Sequence, residues 1–151
     1  MSAFSKPLAD AIFNLVLRNT AFSPPGDIYL GIHVSGGSTP EHPGKTIAAA
    51  FANEADYPAY ERQIITFDAP GGTENAEGPN AAAVTFPEVD LGEDPFEVTG
   101  LSIWSAQRGS TSGTSGMLLL AAPIVTVKEF EPGDVPLVAV GSVIAAFGQE
   151  L

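Results

Sequence analysis

Apolar runs that never last long between one glycine or proline and the next set the limits on this fold. The first is "TAFSPPGDIYLGIHVS", residues 20–35, where Ile28, Leu30, Ile32 and Val34 alternate with Tyr29, Gly31 and His33. A period of two is the mark of a strand with one buried face. Pro24, Pro25 and Gly26 end whatever precedes it. Further runs of the same kind follow. "YERQIITFDAP" sets Arg62, Ile64 and Thr66 against Gln63, Ile65 and Phe67, and "AAAVTFPEV" puts Val84 and Phe86 on one face. "FEVTGLSIWSA" sets Leu101 and Ile103 opposite Trp104. "MLLLAAPIVTV" reads as a strand pair bent at Pro123, and "LVAVGSVIAAFG" as a last strand broken or bulged at Gly141. The 16 glycines and 13 prolines among 151 residues supply the turns between them.

Only the N-terminus has helical periodicity. Ser5 can cap a helix whose first turn tolerates Pro7. Leu8, Ile12, Leu15 and Val16 fall on one face, and Asn19 suits a left-handed stop. A helix this short needs a tertiary partner, so this face is expected to pack on the strands. The ambiguous stretch Ile47–Ala52 is either a helical turn or an irregular excursion. Strands do not alternate with long helices, which disfavours a parallel sheet. The expected fold is one domain over residues 1–151. Its N-terminal helix, about 5–19, packs on an antiparallel β-sandwich of seven or eight short strands, about 27–148.

The formal net charge of −12 repels polyanions, so neither nucleic acid nor an anionic membrane is an expected partner. No apolar run reaches the ~18 residues of a membrane span, and no signal-peptide pattern opens the chain. The absence of cysteine removes disulfides, thiol catalysis and cysteine-held zinc.

Catalytic chemistry has few candidates. His33 lies on the strand face opposite the Ile/Leu row, and His42 sits beside Glu41 in a loop. Ser35, Ser38 and Glu41 could be drawn into a nucleophile–base–acid set with a histidine, but no nucleophile-elbow motif supports it. The acidic stretch Glu88, Asp90, Glu93, Asp94 and Glu97 lacks EF-hand spacing and is interrupted by Pro95, so a solvated turn is expected in place of a cation site. No phosphate-binding loop, dinucleotide fingerprint or zinc-protease helix occurs. No enzymatic activity, metal or cofactor is expected.

The order of the pieces resembles a family of small phage virion proteins, known as tail fibre or virion structural proteins. The resemblance starts with "LADAIFNLVLRNTAFSPP", carrying Leu8, Ile12, Leu15, Thr20, Phe22 and Pro24, and continues in "IYLGIH". Next come Tyr60, Arg62, Gln63 and Phe67, then Asn80, Val84, Phe86 and Pro87. "FEPGDVPL", with Gly133 and Asp134, completes it. Phe96 stands where the family has a tryptophan, and "VTGLSIWS" forms the next strand. The chain departs from the pattern in an insertion around Ile47–Pro58 and an enlarged loop from Gln107 to Gly116.

The resemblance implies a non-enzymatic part of a virus particle, made in the bacterial host cytoplasm. Two placements compete. A capsid cement or decoration protein, bound to the major capsid protein as a homo-oligomer at a symmetry axis, is ranked first, for want of a coiled coil or fibrous repeat. A tail fibre or baseplate-proximal component that meets the host is the alternative. Six Lys/Arg against eighteen Asp/Glu cannot form a broad cationic patch, so attachment is expected through apolar contacts. Phe4, Ile47, Phe51 and Tyr57 are the expected contact residues. Arg62, Phe86 and Trp104 are expected to be structural, with Arg62 paired to a carboxylate or to backbone carbonyls.

Overall fold

The computed structural model of the protein describes residues 3–34, 53–71, 76–109 and 116–147. After the short strand β1 (Ala3–Phe4) comes the helix α1 (Lys6–Arg18), then β2 (Tyr29–Val34) and β3 (Gln63–Ile64). They are followed by β4 (Ala76–Pro79), β5 (Val84–Thr85), β6 (Phe96–Trp104), β7 (Leu118–Phe130), β8 (Leu137–Val138) and β9 (Ile144–Phe147). The fold is mostly β and antiparallel with one N-terminal helix, as expected.

The main layer is a five-stranded sheet in the order β1-β7-β6-β2-β3. Its register follows from the alternation in β2. Leu30 stands opposite Ile103, which stands opposite Leu120, and the row Ile32, Leu101, Ala122 lies beside it. Residues directly opposite in an antiparallel pair share a face, so these rows make one apolar side. Gly31, Ser102 and Ala121 face the other way.

Two short ribbons, β4/β9 and β5/β8, make the second layer over the apolar side. Val84, Phe86 and Val89 join Leu30, Ile32, Val98 and Ile103 in one core. Asn80 ties the two ribbons together. Its buried amide donates to the carbonyls of Ala82 at 2.7 Å and Ala139 at 3.0 Å, and its Oδ1 accepts from the Val143 amide at 2.9 Å. The expected last strand is split here into β8 and β9 by a turn in which Gly141 adopts φ 74°, a conformation that favours glycine.

Three expectations need correction. "MLLLAAPIVTV" is not a strand pair; β7 is one 13-residue strand that runs through Pro123. Proline is tolerated because, among the described residues, β7 is paired on both sides only at Leu120 and Ala121. The strand foreseen from Arg62 to Phe67 shrinks to Gln63–Ile64, with an isolated bridge from Phe67 to Asn80. The third concerns α1. Ser5 caps it and Asn19 ends it at φ 50°, as the sequence indicated, but of its apolar row only Leu8 is buried.

Candidate functional site

The strongest concentration of ionisable chemistry lies on the far side of the main sheet. Residues 53–62 run beside β2, joined to it by a bridge between His33 and Glu54 and by the Ala55 amide donating to the Ile32 carbonyl. That path carries Glu54, Tyr60 and Arg62 to Gly31, where the missing side chain leaves them room. A Cβ at Gly31 would lie 2.8 Å from Glu54 Oε1 and 3.0 Å from Ser102 Oγ.

Arg62 anchors this group. Its Nε donates to Glu54 Oε1 at 2.6 Å and its Nη2 to Glu54 Oε2 at 2.7 Å, a two-pronged pairing. Nη1 donates to the Ala106 carbonyl at 2.9 Å. The guanidinium carbon lies 3.7 Å from the centroid of the Trp104 ring, and the Trp104 Nε1 donates to Ser102 Oγ. Tyr60 donates its hydroxyl to Glu54 Oε1 and accepts the amide of Ile32. Burial and the nearby Glu54 carboxylate push the Tyr60 hydroxyl well above its ordinary pKa. Arg62 and Trp104 are both 0% exposed. A charged pair this closed to solvent cannot take a substrate, so the cluster is built to hold the 53–62 segment to the sheet.

His33 is buried next to it, and its ring nitrogens make no well-formed hydrogen bond. Burial first, and the Arg62 charge second, lower its pKa to about 4, against a smaller opposing pull from the Asn53 carbonyl. His33 is therefore neutral at pH 7. Ser35, Ser38, Glu41 and His42 lie outside the described residues. In the acidic turn, Asp90 accepts the Ala59 amide at 2.9 Å, so it braces a loop. Among the described residues, no three metal-binding side chains converge.

Apolar side chains lie open in several places. An apolar groove of about 500 Å³ runs between α1, the segment after it and the β3–β4 region, lined by Leu8, Phe22, Pro24, Ile28, Phe67 and Leu119 among others. Among the described residues, Asp68 is the one ionisable residue in its lining. Leu137, Val140 and Ile144 are exposed on the ribbon layer, beside two narrower apolar clefts that separate it from the main sheet.

The expected contact residues fare differently. Tyr57 is a correction: it is 5% exposed, donates to the Pro87 carbonyl at 2.9 Å and stacks on Phe96. Its hydroxyl pKa is pushed up to about 12 by burial and by Asp90. It belongs to the core because the "ADYPAY" segment folds inward to deliver Tyr57 and Tyr60 together. Phe4 lies in β1, opposite Leu120. Ile47 and Phe51 lie outside the described residues. Phe86 and Trp104 are buried. Sequence reasoning missed Glu54, which looks like an ordinary loop carboxylate; the only hint was that a buried Arg62 needs an anion.

Compared with models of known protein families, residues 3–146 match the one described as "Podophage GP4 fiber I protein gp80". A comparison with curated proteins found no match.

Proposed function

The chain belongs to the podophage GP4 fiber I protein family, and from that premise we propose that it is a structural subunit of a phage tail fibre. The observation that carries this reading is the reach of the match, which takes in 3–146 of the 151 residues and so both sheet layers and the helix. The family makes the protein a bacteriophage virion component. Head decoration, ranked first from the sequence, has no counterpart in the family description, which points to a fibre.

The proposed role is mechanical. Within the buried cluster, the two side chains able to move protons, Glu54 and Tyr60, are committed to each other and to Arg62. The exposed surface instead offers apolar side chains on α1 and on the ribbon layer, the material of a subunit interface. Attachment to neighbouring virion proteins through such contacts also suits a chain with few cations.

Quantitative mass spectrometry of purified virions tests the placement. A fibre subunit is expected at a small fraction of the copy number of the major capsid protein; a ratio near one to one contradicts it. Incubation of the purified protein with host cell-wall material is expected to release no soluble fragments, and their release would overturn the non-catalytic role.

A further inference from the structure

The two layers stand apart along the open side of β7. One cleft of about 330 Å³ lies between residues 121–125 of β7 and residues 142–145, and the core residues Leu30 and Ile103 form part of its lining. A second, of about 430 Å³, lies between Thr126, Lys128 and Phe130 of β7 and residues 136–139. The linings share Leu101, Ile124, Ser142 and Val143, so the two clefts adjoin as one slot along β7. Among the described residues, Lys128 is the one ionisable side chain in that lining.

The backbone beside the slot is short of partners. β1 pairs with β7 only at Leu120 and Ala121. β6 pairs with it at Pro123 and again at Lys128, and between these points residues 124–127 stand against Thr99 alone. Among the described residues, Ile124, Val125, Thr126 and Val127 therefore have no register partner on either side, yet the strand stays extended through them. All four are β-branched, a type that suits a strand, and Val125 is fully exposed. On the opposite wall, Ile144 and Ala145 belong to β9, whose one strand partner among the described residues is β4.

We propose that the slot receives an extended apolar segment of another virion protein, added as a strand beside residues 124–127, with a carboxylate of that segment on Lys128. Unpaired strand edges call for an extended polypeptide, which brings a row of free backbone donors and acceptors. A helix uses its own backbone groups internally, and a lipid chain has none. The apolar lining keeps charge out of the middle of the segment. Lys128 is exposed and has no ion-pair partner among the described residues, so it selects an acidic residue at one end. A second copy is a poorer donor, because each of the nine described strands is already paired within its own chain. The proposal rests on the protein being a virion component and not on its place in the particle, so it survives a failed fibre assignment.

The test uses whole virions in which Val125 is replaced by the photo-reactive residue benzoylphenylalanine. After irradiation, mass spectrometry of the cross-linked peptides is expected to find one segment of one other virion protein, an apolar run with an Asp or Glu at its end. Hydrogen exchange at residues 124–127 is expected to be slower by roughly tenfold or more in the native virion than in the free chain. Lys128→Glu should cut the cross-link yield several-fold and leave the melting of the free chain unchanged. Cross-links to another copy of this chain, or none at all, overturn the proposal. So does exchange at residues 124–127 that is as fast in the virion as in the free chain, and so does a yield that Lys128→Glu leaves intact.

Discussion

Arg62 and Glu54 make the clearest case for what single residues decide. Removing one partner of a buried, hydrogen-bonded pair leaves the other charge uncompensated, which costs ~3–5 kcal/mol. Arg62→Ala is therefore expected to lower stability by about that much in denaturant titrations. Arg62→Lys should recover only part of it, because an ammonium cannot make the two-pronged contact or lie flat on Trp104. Unchanged unfolding midpoints would refute the assignment. Gly31→Ala should also destabilise, since the new Cβ meets Glu54 Oε1 at 2.8 Å in a site with no slack. His33 sets a pH dependence. Its pKa is about 4 when folded, below its ordinary 6.5, so the unfolded chain binds more protons between those values. Its contribution is complete above pH 6.5, falls as pH drops towards 4 and is constant below that. Between pH 7 and 4.5 the native protein should lose more stability than His33→Phe, and parallel pH curves would contradict this. The sequence exposed half of this site. A cation in an apolar strand demands a partner, so Arg62 was legible. Glu54 was not, because its burial depends on a long-range path that brings residue 54 alongside β2.

The helix shows how far local rules reach at the level of an element. Ser5 and Asn19 bound α1 where the sequence indicated, because capping depends on neighbours within one turn. Which surface covers the helix depends on the rest of the chain, and there the periodic row Leu8, Ile12, Leu15 and Val16 pointed to a core that only Leu8 enters. The strands divide the same way. The alternation in β2 gave its extent and faces. For β7, Pro123 looked like a break, but proline is compatible with a strand that, among the described residues, is paired there on one side only. Ser5 both caps α1 and ties it to β7, so Ser5→Ala should cost ~1 kcal/mol or more. It should also accelerate amide exchange across Lys6–Arg18 in particular. Uniform acceleration through the core strands, or none, would contradict that local role.

For the molecule as a whole, turn-marked strands without helical crossovers were enough to indicate an antiparallel, mostly β fold. The unequal layers, a five-stranded sheet under two ribbons joined at Asn80, were not legible, because strands of two to four residues leave almost no periodic trace. The surface that results is acidic in charge and apolar in its open faces. Apolar burial is not weakened by salt, whereas at ~1 M NaCl the screening length falls to ~3 Å. The protein should therefore stay on the particle through a ~1 M NaCl wash; its quantitative release from intact virions would mean that the acidic surface does the holding. The central claim, a structural subunit of the tail fibre, is met most directly by cryo-microscopy of the virion. The account predicts density fitting the five-stranded sheet and its ribbons in the fibres and none on the head shell; density on the head shell, with none at the tail, would contradict it.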